Sequence, residues 1–200
     1  MEYKFSDVIK DVAIITPFKH YDYRGEYIET FNQQFYEVFK YNAGAPIRWV
    51  QDDVSTSVRH TLRGLHGDKH TWKLVQCLYG SMLATVVDMR PESPSYLKWI
   101  QIPINDKNRS QVLIPAGCAN GHLVMSEFGI FSYKQSEYYK GSENQFTVRW
   151  DDPVLDITWP IDKPILSERD KSAKLLELKD TVEAFLPSVD DVIKQIKQHG

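Results

Sequence analysis

From Leu74 to Gln135 the chain is a succession of short apolar runs, LVQCLYGSMLATVVDMR, LKWIQIPI, QVLIPAG, HLVMSE and FGIFSYKQ, with turn residues between them. Runs of this length are strand-sized, and their short, regular spacing predicts an all-β sandwich or barrel. In LVQCLYGSMLATVVDMR two apolar stretches meet at Gly80-Ser81, the pattern of a hairpin. Upstream, Pro46 closes a turn and IRWVQDDVSTS then alternates like a half-buried strand. VAIITPF and EYIETF read as short strand-like runs broken by HYDYRG. Asn32 is placed to cap a short helix through Phe39, with Phe31, Phe35, Val38 and Phe39 at helical spacing.

Past Pro153, VLDITWPIDKPILSERD is rich in proline and acids and reads as a strap over the sheet. From Lys171 the periodicity becomes helical in AKLLELKDTVEAFL and VDDVIKQIKQ, the second capped by Ser188 after Pro187. The expected organisation is one domain over residues 1–170 and a C-terminal helical extension over 171–200 packed on it. Two hundred residues suffice for a full hydrophobic core. Lys+Arg 24 against Asp+Glu 27, with no basic block, argues against a general nucleic-acid or anionic-membrane surface. Any bound anion must meet locally placed arginines. Cys77 and Cys118 sit in apolar, strand-like surroundings and read as buried thiols of a reducing compartment. No N-terminal stretch has the pattern of a secretion signal and no apolar run reaches membrane-spanning length, so a cytoplasmic protein is expected.

The chemistry centres on Thr61 to Val75, TLRGLHGDKHTWKLV, which puts Arg63, His66 and Lys73 into a strand-like segment. Side chains on a strand alternate faces, so His66 and Lys73 converge only if the chain turns between them, and Gly67-Asp68-Lys69 supplies turn chemistry. A near-neutral imidazole removes and returns a proton at physiological pH when a carboxylate fixes its tautomer; many acids of the chain could serve. Lys73, facing the same cavity, would answer an oxyanion; its plain alternative is a surface lysine. Tyr133 in FGIFSYKQ is aimed by the sheet, and by itself equally reads as a core or interface aromatic. Arg24, Arg59 and Arg63 are candidates for a guanidinium group matched to phosphate or carboxylate oxygens.

In order, QDDVSTS, LRGLH, KLV, VVDMR, SPSYLKW, IPAGCANGHLVMS, FSYKQSEYY, WDDPVLDITWP and LSERD resemble the nucleotide-diphospho 4-keto-6-deoxysugar epimerases typified by dTDP-4-dehydrorhamnose 3,5-epimerase, from about Arg24 to Asp170. The LRGLHGD form and Asn120 look closer to a branch that epimerises GDP-linked 4-keto-6-deoxyheptoses for bacterial capsules. The resemblance implies a cupin-type jelly roll acting as a homodimer on a GDP- or dTDP-linked sugar, without cofactor or metal. It makes His66 the general base, Asp170 its carboxylate partner, Tyr133 the proton donor on the opposite face and Lys73 the group near the ketone oxygen. Arg24, Glu29, Gln51, Asp53, Arg63, Asn120, Glu143 and Arg169 fall where nucleotide, pyrophosphate or sugar is contacted, and Tyr27 where an aromatic packs on the base.

Three departures stand out. Gly67-Asp68 follows the histidine where an aromatic and Gln are usual, with a shorter run to the lysine. AHGF becomes Ala119-Asn120-Gly121-His122, which loses one histidine and gains another two residues on; pleat alternation would point His122 the same way as Asn120. QDN becomes Gln51-Asp52-Asp53, which leaves the identity of the base open. Alternatives are a metal-dependent cupin using His60, His66, His70 and His122, although the close HxH pair is absent, a 3,4-ketoisomerase, or a non-catalytic sugar-nucleotide-binding cupin.

Overall fold

The computed structural model describes residues 1–41 and 44–177. In chain order its elements are β1 (Glu2–Phe5), β2 (Ala13–Thr16), β3 (Lys19–Asp22), β4 (Gly25–Ile28), α1 (Gln33–Tyr36), β5 (Gln51–Val58), β6 (Leu62–Gly67), β7 (Lys73–Tyr79), β8 (Ser81–Asp88), β9 (Trp99–Asn105), β10 (Gln111–Ile114), β11 (Cys118–Val124), β12 (Phe128–Gln135), β13 (Phe146–Thr147) and α2 (Glu168–Lys171). A six-stranded sheet runs β1-β2-β10-β7-β12-β5, a five-stranded sheet β13-β6-β11-β8-β9, and β3-β4 forms a separate hairpin. The strand pairs are antiparallel, and the two larger sheets make the expected cupin-like jelly roll.

From β5 to β12 each connection except β8 to β9 carries the chain from one sheet to the other. That corrects the expected hairpin at Gly80-Ser81. β7 pairs with β10 and β12, β8 pairs with β9 and β11, and Gly80 is the corner between the sheets. Local pattern cannot separate these cases, because a hairpin and a sheet-crossing corner both need two apolar runs and a tight turn. HYDYRG is also not a break, since its first residues belong to β3, which pairs with β4. The strand expected from Ile47 begins only at Gln51. Asn32 does cap α1, accepting from the Gln34 N–H at 3.0 Å, although the α-helix ends at Tyr36.

Around β7 and β10 both faces of the six-stranded sheet are covered, which is why these two strands read as nearly continuous apolar runs. Val75, Cys77, Val112 and Ile114 point between the sheets and meet Met82, Val86, Ile104 and Phe131 from the other strands. Leu74 and Leu113 point outward, where Tyr36, Phe39 and Ile47 of the α1 region close over them. Tyr36 keeps its hydroxyl satisfied there by donating to the buried Gln111 side chain. On the outer face of the five-stranded sheet, Leu155 and Ile157 of the strap pack on Leu65, Val87 and Ala119. Cys77 and Cys118 are free and buried, and burial pushes the Cys77 thiol up to about 11 and Cys118 higher still.

The helix expected from Ala173 is absent through residue 177, where the Leu176 N–H instead bonds the Asp152 carboxylate at 2.7 Å. The rest of that extension, with the Ser188 cap, lies outside the described residues. Among the described residues no helix is long and apolar enough to cross a membrane.

Gly80 has φ +82°, and a Cβ there would overlap the Phe128 carbonyl and the Ser126 hydroxyl. Gly80→Ala should therefore cost roughly 2–4 kcal/mol, left-handed strain and steric overlap combined, read as a lower urea midpoint at unchanged slope.

Candidate active site

His66 lies near the end of β6 in the five-stranded sheet, and Lys73 opens β7 in the six-stranded sheet. Between them Asp68 Oδ1 accepts from the backbone N–H groups of His70 (2.8 Å) and Thr71 (2.7 Å), an aspartate-built turn that sends the chain across. The two side chains converge as expected, but across the gap between sheets.

On the five-stranded wall, His66 pairs with Asn120 and Arg63 with His122. Three steps along β6 thus match two along β11, a bulge that lets Arg63 and His66 line one cavity despite their odd separation. Gly64 sits inside the bulge at φ +124°; a Cβ there would lie 2.7 Å from the Gly121 Cα and 2.8 Å from the Asn120 carbonyl. The glycine of LRGLH is required by this close backbone approach.

On the six-stranded wall the pleat aligns cross-strand rows. Gln135 is opposite Gln51 and Lys73, Tyr133 opposite Asp53 and Val75, and Phe131 opposite Ser55 and Cys77. Gln51, Asp53 and Ser55 alternate inward while Asp52, Val54 and Thr56 face solvent. Asp53 Oδ2 accepts from the Gln51 and Gln135 amides, each at 2.8 Å. Burial, with Asp53 and Tyr139 nearby, pushes the Tyr133 phenol above its ordinary value despite Arg63, so at neutral pH it keeps its proton.

Lys73 is almost wholly buried, its Nζ donating to Asn120 Oδ1 at 2.9 Å and to the His66 carbonyl at 3.4 Å. Burial lowers it to about 8, against the raising pull of Asp68. At neutral pH it is a cation held in a dry wall.

The strap supplies the last part. Ile165 bridges to Thr61, and Ser167 then caps α2 by accepting from the Asp170 N–H at 3.2 Å. This places the buried Asp170 against His66, whose Nε2–H donates to Asp170 Oδ1 at 2.6 Å. Burial alone would raise the Asp170 carboxyl; the bond from His66, with help from Ser167 and Gly64, holds it below the usual carboxylate value. An ionised Asp170 fixes the proton on Nε2 and leaves Nδ1 with a lone pair, the arrangement of a braced general base.

A cavity of about 690 Å³ opens between the walls and is lined by His66, Tyr133, Lys73, Asp170, Arg63, Asn120, His122, Gln51, Asp53 and Arg169. Arg169 donates to Thr147 Oγ1 (3.0 Å) and Gln145 Oε1 (3.3 Å), while its Nη2 is buried without a partner. The proposed arginine trio does not assemble. Arg63 lines the cavity, Arg59 is exposed beyond the end of β5, and Arg24 pairs with Asp22 on the β3-β4 hairpin at 2.6 Å. Tyr27 is exposed on that hairpin and Glu29 accepts from Asn32, so neither lines the cavity of its own chain. Glu143 lines a neighbouring cavity of about 540 Å³ with Lys69, His70 and Tyr138. Of the four histidines considered as metal ligands, only His66 and His122 share the main cavity. Among the described residues, no group of three or more His, Cys, Asp or Glu is arranged to hold a metal. Phe131, Gln135, Tyr139 and Gln145 were not anticipated; the first two sit two residues either side of Tyr133, so its strand face already implied them.

A jelly roll that sets a carboxylate-braced imidazole on one wall and a protonated phenol with a buried ammonium on the other is built as a proton-transferring isomerase. The chain belongs to the dTDP-4-dehydrorhamnose 3,5-epimerase family, whose sequence pattern matches residues 6–178. It is 37% identical over 173 residues to dTDP-4-dehydrorhamnose 3,5-epimerase of Salmonella typhimurium, covering 84% of this chain and 92% of that protein. Its fold is similar to that of a 4-keto-6-deoxy sugar epimerase from the novobiocin gene cluster of Streptomyces spheroides, with TM-score 0.82 and 31% identity over 95% of this chain and 94% of that one. It is similar also to the Legionella pneumophila 3,5-epimerase solved with dTDP-4-keto-L-rhamnose, with TM-score 0.80 and 34% identity over 90% and 96% of the two chains.

Lys73 is held well below the ordinary lysine value of 10.5, so the unfolded chain binds more protons than the folded one between about pH 8 and 10.5. The stability cost is full below pH 8 and relieved as pH rises through that window. Lys73→Met should therefore raise stability by roughly 1–3 kcal/mol at pH 7 in urea unfolding, a gain that shrinks towards pH 10.5.

Proposed function

We propose that this protein is a cofactor-independent epimerase acting next to the ketone of a nucleotide-diphospho 4-keto-6-deoxy sugar, at C3 alone or at C3 and C5. The observation that carries this reading is the placement of Asp170-braced His66 on one sheet and Tyr133 with Lys73 on the other, across one cavity. His66 Nδ1 takes the proton from the carbon beside the ketone, and the C–H electron pair becomes the enolate double bond with negative charge on the ketone oxygen. Lys73 answers that charge in a buried site where the interaction is strong. The Tyr133 hydroxyl delivers a proton to the opposite face of the planar carbon, and the phenolate and imidazolium exchange protons with solvent to close the cycle.

Arg169, with its buried unpaired Nη2, and Arg63 suit the diphosphate, a remote handle whose binding energy positions the reacting carbon. Arg24 and Tyr27 on the β3-β4 hairpin, and Glu29 just past its end, do not line the cavity of their own chain. In the proposed homodimer they serve the cavity of a second copy, and Glu143 closes the nucleotide end from the adjoining hollow. The relatives are named for dTDP sugars, whereas the LRGLHGD form and Asn120 support a finer assignment to a GDP-linked 4-keto-6-deoxyheptose of capsule synthesis, and Asp53 leaves the base open.

Proton NMR of GDP- and dTDP-linked 4-keto-6-deoxy sugars incubated with the protein in deuterated water reads base preference, exchange position and inversion together. The wild type should exchange and invert. His66→Asn and Asp170→Asn should each lower exchange by about 10²–10⁴-fold, and Tyr133→Phe should exchange yet fail to invert. Full inversion by Tyr133→Phe would remove the phenol from the mechanism, and a carbonyl moved to C3 would make the protein a ketoisomerase. In the same assay kcat/KM should fall as pH rises past about 8, where Lys73 loses its charge.

A further inference from the structure

His122 is the least explained polar group of the site. Its side chain is 4% exposed, lies on the cavity wall and stacks on Phe131 with ring centroids 3.8 Å apart at 18°. Its Nε2 is buried and has no hydrogen-bond partner among the described residues. Burial, with Arg63 and His66 close by, pushes the imidazole down to about 3, so it is neutral and offers one N–H donor and one lone pair. A ring wanted only for packing on Phe131 would be more stable as phenylalanine, because a buried polar group without a partner costs about as much as a lost hydrogen bond. His122 lines the cavity, and the cavity is the direction from which a partner can come.

We propose that His122 is a sugar-positioning residue that hydrogen-bonds a hydroxyl of the substrate, next to the carbon served by His66. His122 pairs with Arg63 on β6, and the next row of the same strand pair is Asn120 with His66. His122 and His66 are diagonal neighbours across the strand pair, roughly 7–8 Å apart, so a hydroxyl held by His122 is within reach of the reacting ring and remote from the far end of the nucleotide. A neutral imidazole suits this task beside the base: it fixes a hydroxyl without adding a second positive charge next to the imidazolium that His66 becomes. The inference rests on the epimerase reading for the identity of the ligand as a sugar, and on the geometry of His122 for the contact itself.

The test is His122→Phe, which keeps the stack on Phe131, with His122→Gln as the variant that keeps a hydrogen-bonding group. Three quantities are measured: thermal midpoint, affinity for the free nucleoside diphosphate, and affinity and kcat/KM for the corresponding 4-keto sugar nucleotide. His122→Phe should melt at or above the wild type, bind the nucleoside diphosphate within twofold of it, and lose about 10- to 100-fold in kcat/KM for the sugar nucleotide. His122→Gln should recover part of that loss. Equal loss for nucleoside diphosphate and sugar nucleotide would make the residue structural and overturn the proposal, as would a Phe variant within twofold of wild type throughout. If the wild type turns over none of the 4-keto sugars, the epimerase reading falls, and the difference in affinity between nucleotide sugar and nucleotide still decides the role of His122.

Discussion

A 2.6 Å hydrogen bond joins His66 to Asp170, residues 104 positions apart, and the rest of the site is arranged to make that bond possible. One partner sits at the end of a strand. The other is carried by a four-residue helix that would not form alone, and that Ser167 caps after the strap has been anchored at Thr61 and packed through Leu155 and Ile157. The bond therefore reports on the whole five-stranded side of the molecule. It also decides the protonation state that matters, because an ionised, buried Asp170 has one strong partner to hold its charge.

The jelly-roll path supplies the second requirement, two walls. Consecutive strands β5, β6 and β7 fall on alternate sheets, so the few residues between His66 and Lys73 carry the chain from the side of the base to the side of the ammonium and phenol. One part of the space between the sheets is filled by Val75, Met82, Ile104, Val112 and Phe131, and another is left open as the cavity. The apolar packing keeps the walls apart and excludes water, which is why Lys73 is destabilised as a cation and why its charge would count for more than at a surface.

Much of this was legible in the residues. The β class followed from strand-sized runs, the cap from Asn32, the turn from Asp68, and the face of Tyr133 from its strand. What escaped was non-local. The runs about Gly80 look the same whether they pair or part, and only the energetics of the assembled sheets choose. Pleat counting put Asn120 and His122 on one face, yet could not foresee that Arg63 and His66 would share that side, because a bulge at Gly64 changes the count. Arg24, Tyr27 and Glu29 match by motif and do not line the cavity of their own chain, because a motif records residue types in order and not where the fold places them.

The arrangement turns on where a sugar ring lies, and a crystal structure of the protein with a nucleotide-diphospho 4-keto sugar, or an unreactive analogue, bound is the most direct measurement. The ring should sit between the sheets, with His66 Nδ1 facing the hydrogen beside C4, the Tyr133 hydroxyl on the opposite face and Lys73 near the C4 oxygen. A ring lodged among Lys69, His70 and Tyr138, or one with the imidazole and phenol on the same side, would contradict it.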